Sequence, residues 1–146
     1  MNQSNILLIE DNPDDAELTR IAFAEAGIDR QLVVVRDGAE ALDYLFARGV
    51  HAGRDARDLP AIVLLDLNLP KLDGREVLQA IRGDARTRSL PVVVLTTSDE
   101  PFDVEATYAL GVNSYIRKPV AFGQFVDVVK QIGLYWLVLN QPRVAG

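Results

Sequence analysis

Three acidic residues come directly after short apolar runs, at positions where their carboxylates could meet. Glu10 and Asp11 follow Ile6–Ile9. Asp66 follows Ile62–Leu65. Three carboxylates packed together repel one another, so such a cluster needs a cation or raised pKa values. Because the chain has no cysteine, an all-oxygen set favours a hard ion, Mg²⁺ or Mn²⁺. The alternative is that each carboxylate only caps the helix or turn that follows it.

A hydroxyl group and a lysine follow two further apolar runs. Thr96 comes directly after Val92–Leu95, and Lys118 comes shortly after Ser114–Ile116. A hydroxyl can hydrogen-bond an incoming oxyanion, and a lysine can neutralise an acidic pocket. Taken singly, Thr96 is as well explained as a β-branched strand residue and Lys118 as a surface charge.

The elements that would position these residues alternate regularly along the chain. Five short apolar runs have the length of strands, and their unbroken hydrophobicity indicates burial on both faces of a sheet. They are Ile6–Ile9, Leu32–Val35, Ile62–Leu65, Val92–Leu95 and Ser114–Ile116.

Segments of helical period lie between and after these strands. In the first, Asn12 is a capping residue, Pro13 suits the first helical position and Gly27 is a helix stop. The other predicted helices are Asp37–Arg48, Asp73–Arg82, Glu100–Leu110 and Ala121 to about Leu139.

This alternation predicts an α/β protein with a flavodoxin-like, doubly wound (βα)5 parallel sheet in the strand order 2-1-3-4-5. Such open sheets bind ligands at the carboxyl ends of their strands. Because the first and third strands are neighbours in that order, Glu10, Asp11 and Asp66 are predicted to meet at one edge. We expect a single domain over residues 1–139, with an extended last helix, a tail over 140–146 and no output domain.

Composition narrows the function further. The 146 residues are 49% hydrophobic and 25% charged, which is typical of a globular domain. A net charge of −6 argues against binding nucleic acid. The absence of cysteine excludes thiol chemistry and disulfides. No apolar run approaches the roughly 20 residues of a membrane span. We therefore expect a cytoplasmic protein that binds neither nucleic acid nor membrane.

Five motifs in sequence order closely resemble those of the receiver domain of two-component response regulators. Each motif is weak alone, but the ordered set is specific and runs through nearly the whole chain. The motifs are Leu8-Ile9-Glu10-Asp11, Leu64-Leu65-Asp66-Leu67-Asn68-Leu69-Pro70, Asp73-Gly74, Val94-Leu95-Thr96-Thr97-Ser98 and Tyr115-Ile116-Arg117-Lys118-Pro119.

The resemblance implies a phosphorylation switch, not an enzyme that acts on a diffusible substrate. Asp66 resembles the phosphoacceptor, which takes a phosphoryl group from a sensor histidine kinase. Glu10, Asp11 and Asp66, with the backbone carbonyl of Asn68, correspond to the ligands of Mg²⁺ (or Mn²⁺).

Three further positions correspond to the family's catalytic and switch residues. Lys118 resembles the lysine that contacts the phosphoryl oxygens. Thr96 resembles the hydroxyl residue that moves toward the phosphoryl group, and Tyr115 resembles the aromatic residue that moves with it.

Other classes of protein fit the sequence less well. A phosphatase or mutase of the haloacid dehalogenase class would need a second aspartate two positions after Asp66, where Asn68 stands. An FMN-binding protein would need a phosphate loop after the first strand, where this chain is acidic. The remaining alternative is a degenerate receiver that acts as a phosphorylation-independent interaction or dimerisation module.

The C-terminal segment predicts a homodimer. Ile132–Leu139 contains no charged residue. A helix there is apolar on every side, so the side that faces away from the sheet must be buried against another surface. We expect a second copy to provide it, in contact with the tail and with Tyr135, Trp136, Leu137 and Leu139. The alternative is that Trp136 and Leu137 pack on the chain's own core.

A long segment, Arg48–Leu59, lies between the second helix and the third strand and is predicted to be an exposed loop with a solvated His51. Four features together resemble the small response regulators of bacterial phytochrome kinases: this loop, the run Leu65–Lys71, the strand end Leu95–Ser98 and the Tyr135-Trp136-Leu137 run. The implied kinase partner is therefore of the phytochrome type.

Overall fold

Strands and helices alternate along the computed structural model, which describes residues 5–27, 32–66, 74–96, 109, 111–112, 114–117 and 122–132. The strands are β1 (Ile6–Ile9), β2 (Leu32–Val35), β3 (Ile62–Asp66), β4 (Val92–Thr96) and β5 (Ser114–Arg117). The helices are α1 (Pro13–Glu25), α2 (Gly38–Phe46), α3 (Gly74–Gly83) and α4 (Phe122–Ile132), with a short 3₁₀ helix at Gly49–His51.

The five strands form one parallel sheet in the order β2-β1-β3-β4-β5, which confirms the predicted topology. In the register between the first and third strands, Ile9 pairs with Leu65. In the next pair of strands, Asp66 pairs with Leu95. The carboxyl ends of the three central strands therefore lie at the same level along one edge of the sheet.

The central strands β1 and β3 are buried on both faces, as their unbroken apolar runs predict, whereas Val34 of the edge strand β2 is 39% exposed. One face of the sheet packs against α2 and α3 through side chains such as Leu45 and Leu78. The other face packs against α1 and α4 through side chains such as Phe23 and Val129. Alternate residues of each central strand therefore enter different cores, and both sets must be apolar.

Helix α1 begins and ends where its sequence predicts. The side-chain oxygen of Asn12 accepts hydrogen bonds from the backbone nitrogens of Asp14 and Asp15, at 2.8 and 3.2 Å. After the last helical residue, Gly27 adopts a φ of 79°, a left-handed conformation that favours glycine. The Asn-Pro start and the glycine stop therefore act as real helix boundaries.

The remaining helix predictions are confirmed as far as the described residues extend. Helix α2 ends two residues before the predicted Arg48, and α3 is shifted by one residue from the prediction. Of the predicted helix Glu100–Leu110, only Ala109 is described, and it is helical. The part of the last helix beyond Ile132, and the tail, lie outside the described residues. Among the helices that are described, none is long and apolar enough to cross a membrane.

The prediction that His51 is solvated is wrong, because the Arg48–Leu59 segment folds back along α2. The His51 Nε2 atom lies 3.1 Å from a carboxylate oxygen of Glu40. Its ring meets the ring of Tyr44 edge to face, at 5.2 Å between centroids. The guanidinium of Arg54 stacks over the same tyrosine ring at 3.8 Å. A buried aromatic ring and a half-buried carboxylate on α2 thus hold this segment.

Ala47 ends α2 in the left-handed conformation, with φ 54° and ψ 57°, which is strained for a residue with a Cβ atom. We expect Ala47→Gly to raise the free energy of unfolding by about 0.5–1 kcal/mol, because relief of strain exceeds the added chain entropy of glycine. Urea denaturation of the two proteins measures this difference.

The matched control is Ala52→Gly, since Ala52 has an ordinary right-handed φ of −62°. That substitution should lower stability, because only the entropic cost of glycine remains. A loss of stability in both variants would contradict the assignment of strain to Ala47.

Candidate functional site

Three carboxylates meet at the carboxyl edge of the sheet, as the sequence predicts. Oxygen atoms of Glu10, Asp11 and Asp66 all lie within 4.8 Å of one another. Glu10 directly follows β1, and Asp66 is the last residue of β3. The pairing of Ile9 with Leu65 brings the two strand ends level, so the cluster follows from the register of the sheet.

Burial makes this cluster costly without a cation. Glu10 is only 2% exposed and Asp66 7%, whereas Asp11 is exposed to solvent. Buried carboxylates lose hydration, and neighbouring ones repel each other, so a bound divalent cation would stabilise such a cluster. The exposed Asp11 leaves the cluster accessible from solvent. The cluster is therefore reachable from solvent and suited to a cation.

The donor set fits a hard divalent ion. All three ligands are carboxylate oxygens, the type that Mg²⁺ and Mn²⁺ prefer. Ligands on opposite sides of a Mg²⁺ ion lie about 4.2 Å apart, so the observed spacing requires only small side-chain adjustments. The acidic cluster could therefore hold one such ion.

Glu10 is fixed from two sides. Its backbone nitrogen donates to the carbonyl oxygen of Val35 in β2 at 3.0 Å. Its carboxylate accepts from the backbone nitrogen of Asn12 at 3.4 Å. Sequence reasoning identified Asn12 only as a helix cap and missed this second contact. The available signal was its position, two residues after a candidate ligand in a turn that leads into a helix.

The two predicted switch residues, Thr96 and Tyr115, lie in the neighbouring strands β4 and β5 of this sheet. Thr96 is the last residue of β4 and pairs with Arg117 of β5, while Tyr115 pairs with Val94. Because Leu95 pairs with Asp66, the end of β4 lies beside the end of β3. The remaining predicted site and dimer residues, Asn68, Lys118, Tyr135, Trp136, Leu137 and Leu139, lie outside the described part of the chain.

The fold and site place this chain in a class of α/β proteins with an open, doubly wound parallel sheet. Proteins of this class bind ligands at the carboxyl ends of the strands, at the point where the strand order reverses. Here the carboxylates at the ends of β1 and β3 lie at that point. A family model described as the response regulator receiver domain matches residues 6–130. The chain belongs to this family, which confirms the resemblance drawn from the five motifs.

Two relatives show the range of proteins to which the chain is similar. The chain is 46% identical over 136 residues to the probable methanogenesis regulatory protein FilR2 of Methanothrix harundinacea, covering 93% of this chain and 85% of FilR2. It is 40% identical over 132 residues to the response regulator Rcp1 of Synechocystis, covering 90% and 88% of the two chains.

Solved structures agree with these sequence relationships. The phosphorylated cyanobacterial phytochrome response regulator RcpA has a TM-score of 0.84 at 42% identity, covering 95% of this chain and 97% of RcpA. The Mn²⁺-bound form of Rcp1 has a TM-score of 0.84 at 37% identity, covering 97% and 100% of the two chains. The chain is therefore a response regulator homologous to phytochrome response regulators.

Proposed function

We propose that this protein accepts a phosphoryl group on Asp66 from a sensor histidine kinase, with Mg²⁺ or Mn²⁺ held by Glu10, Asp11 and Asp66. The observation that carries the proposal is the convergence of these three carboxylates, within 4.8 Å of one another, in a chain of the receiver family. The Mn²⁺-bound form of Rcp1 supports a divalent ion at this site.

The proposed chemistry uses Asp66 as the nucleophile. A carboxylate oxygen of Asp66 attacks phosphorus, the bond from phosphorus to the kinase histidine nitrogen breaks, and an aspartyl phosphate forms. A carboxylate needs no general base for this attack, but its negative charge opposes an anionic donor. A bound divalent ion would supply positive charge that offsets this repulsion.

The site is suited to positioning the reaction. Phosphoryl transfer demands mainly in-line placement and charge neutralisation. The buried Asp66 ends a central strand of a rigid sheet, which restricts the direction from which a donor can approach. Lys118 is proposed to contact the phosphoryl oxygens, and the backbone carbonyl of Asn68 to complete the metal ligands. Hydrolysis by water would restore the carboxylate and release inorganic phosphate, so the phosphorylated state would be transient.

The phosphorylated state is proposed to be read through Thr96 and Tyr115. Thr96 ends the strand next to that of Asp66, and we propose that its hydroxyl hydrogen-bonds a phosphoryl oxygen in the phosphorylated state. Tyr115 would move with Thr96 and alter the surface near β5. We propose that residues 1–139 form the receiver domain and that the signal leaves it through contact with another protein.

A phytochrome-type kinase is the proposed source of the phosphoryl group. The support is similarity to RcpA, which is a phytochrome response regulator. The competing function is a degenerate receiver that binds partners without phosphorylation. The chain keeps the complete acid, hydroxyl and lysine set: Glu10, Asp11, Asp66, Thr96 and Lys118. This set disfavours a degenerate receiver, because a protein that only binds partners gains nothing from buried carboxylates that repel one another.

Reaction with acetyl phosphate distinguishes a receiver that accepts a phosphoryl group from a degenerate receiver that does not. Incubation with acetyl phosphate and Mg²⁺, followed by intact-mass measurement, should add the mass of one phosphoryl group. Chelation of the divalent ion beforehand should prevent the gain. No mass gain with acetyl phosphate, and none after transfer from a phosphorylated phytochrome-type kinase, would support the degenerate receiver.

We further propose a homodimer formed through the C-terminal helix and the 140–146 tail. Trp136→Asp should convert the dimer to a monomer in sedimentation velocity, because a buried charge without a partner opposes an apolar interface. Val50→Asp is the matched control, since Val50 is 85% exposed on the 3₁₀ helix and should not affect assembly. A native monomer, or a dimer that survives Trp136→Asp, would contradict this interface.

A further inference from the structure

The turn between β1 and α1 carries two of the three clustered carboxylates and is only three residues long. Glu10 and Asp11 are its first two residues, and Asn12 is its last, directly before the first helical residue, Pro13. Any movement of this turn therefore moves both acidic side chains relative to Asp66.

Asn12 connects this turn to the helix and to the cluster at once. Its side-chain oxygen accepts from the backbone nitrogens of Asp14 and Asp15, and its backbone carbonyl accepts from Ala16 at 2.9 Å. On its other side, its backbone nitrogen donates to the Glu10 carboxylate at 3.4 Å. We propose that Asn12 is a positioning residue, whose capping of α1 holds Glu10 and Asp11 in the geometry that a divalent ion needs.

The anchoring of the turn explains why the cap matters for Asp11. Glu10 is tied to β2 through Val35, and Asn12 is tied to the first turn of α1. Asp11 lies between these two fixed neighbours, and its own side chain is exposed, so little packing restricts it. The position of this exposed ligand therefore depends on the backbone on either side of it.

Loss of the cap should lower metal affinity without removing a ligand. If the first turn of α1 opens in a fraction of molecules, the apparent affinity falls in proportion to the fraction that stays competent. Loss of a typical cap shifts such an equilibrium by about fivefold. This inference rests on the metal site of the proposed function, but it concerns the placement of the ligands and not their identity.

The first experiment measures Mn²⁺ binding by the electron paramagnetic resonance of the free ion. Asn12→Ala should raise the Mn²⁺ dissociation constant by about twofold to fivefold, because the capping acceptor is lost. Asn12→Ser should stay within about twofold of the native protein, because serine caps nearly as well. The rescue by serine distinguishes loss of the cap from a general effect of substitution.

Thr87→Val provides a control for lost stability. Thr87 is buried, and its hydroxyl donates to the carbonyl oxygen of Ile81 at 2.7 Å, in the connection between α3 and β4 at the opposite edge of the sheet. This substitution also removes one hydrogen bond to a helix end and should lower the urea midpoint. It should leave the Mn²⁺ dissociation constant unchanged, because it does not touch the β1–α1 turn.

The second experiment uses thermodynamic reciprocity, since a cap that favours the ion must itself be favoured by the ion. The amide protons of Asp14 and Asp15, which bond to the Asn12 side chain, should exchange more slowly in the native protein when Mg²⁺ is added. In Asn12→Ala this Mg²⁺-dependent protection should be reduced. A cap with only a structural role would show no such dependence.

The outcomes separate this inference from the proposed function. If the native protein binds no Mn²⁺, the metal site itself is wrong and this inference falls with it. If the native protein binds Mn²⁺ and Asn12→Ala binds it equally well, only the inference is overturned. An equal loss of affinity in Thr87→Val would also overturn it, because the effect would then follow stability and not the turn.

Discussion

Asp66→Asn is expected to abolish phosphorylation by acetyl phosphate while preserving the fold. The amide has nearly the shape of the carboxylate, so the side chain can occupy the same largely buried position, 7% exposed in the native protein. It has no anionic oxygen with which to attack phosphorus. Intact-mass measurement after reaction with acetyl phosphate and Mg²⁺ should therefore show no added phosphoryl group.

The same substitution should stabilise the metal-free protein. Removing one of three neighbouring negative charges relieves their repulsion, which we expect to raise the free energy of unfolding by about 1 kcal/mol. Denaturation with urea in the presence of a chelator measures this difference. A variant that is both inactive and at least as stable as the native protein excludes misfolding as the cause of inactivity.

Asp84→Asn is the matched control for Asp66→Asn. Asp84 lies in the connection between α3 and β4, at the opposite edge of the sheet, and pairs with Arg86 at 2.9 Å. The chemical change is identical, but phosphorylation should proceed as in the native protein. A phosphoryl group that still attaches to Asp66→Asn would show that another residue is the acceptor.

Asp11→Asn is expected to have the second-largest effect, on metal affinity. The substitution lowers the charge of the donor set while keeping an oxygen of similar shape, and hard ions depend strongly on ligand charge. Because Asp11 is exposed, the fold should be unaffected. We expect the Mn²⁺ dissociation constant to rise by about tenfold to a hundredfold, on the scale that ligand-shell changes produce.

Asp14→Asn tests whether coordination or general attraction causes that effect. Asp14 is an exposed carboxylate in the first turn of α1, three residues from Asp11 and outside the acidic cluster. Its loss removes the same charge from the same region and should change the dissociation constant by less than about twofold, because long-range attraction is screened by salt. Equal effects of the two substitutions would contradict a ligand role for Asp11.

The sequence predicted the sheet and the cluster for a simple physical reason. Strands buried on both faces, such as those that contain Ile6–Ile9 and Ile62–Leu65, require unbroken apolar runs. The strand order and the rule that ligands lie at the carboxyl ends of such strands then bring Glu10 near Asp66. Local pattern and global topology agree at this point, so the prediction succeeded.

Prediction from the sequence failed where contacts between residues distant along the chain determine the structure. The polar and glycine-rich Arg48–Leu59 segment has no periodic pattern, so nothing local predicts that His51 would reach back to Glu40 and Tyr44 across eleven and seven positions. The contact between Asn12 and the Glu10 carboxylate was missed for a related reason. A capping residue is visible in sequence, but the path of a three-residue turn is not.

Chemical mapping of the phosphoryl group tests the central claim most directly. After reaction with acetyl phosphate and Mg²⁺, borohydride reduction converts an aspartyl phosphate to homoserine, and peptide mass spectrometry locates the converted residue. We expect homoserine at position 66, with Glu10 and Asp11 unchanged and no conversion when the divalent ion is chelated. Homoserine at another aspartate, or a phosphoryl group that resists borohydride, would contradict it.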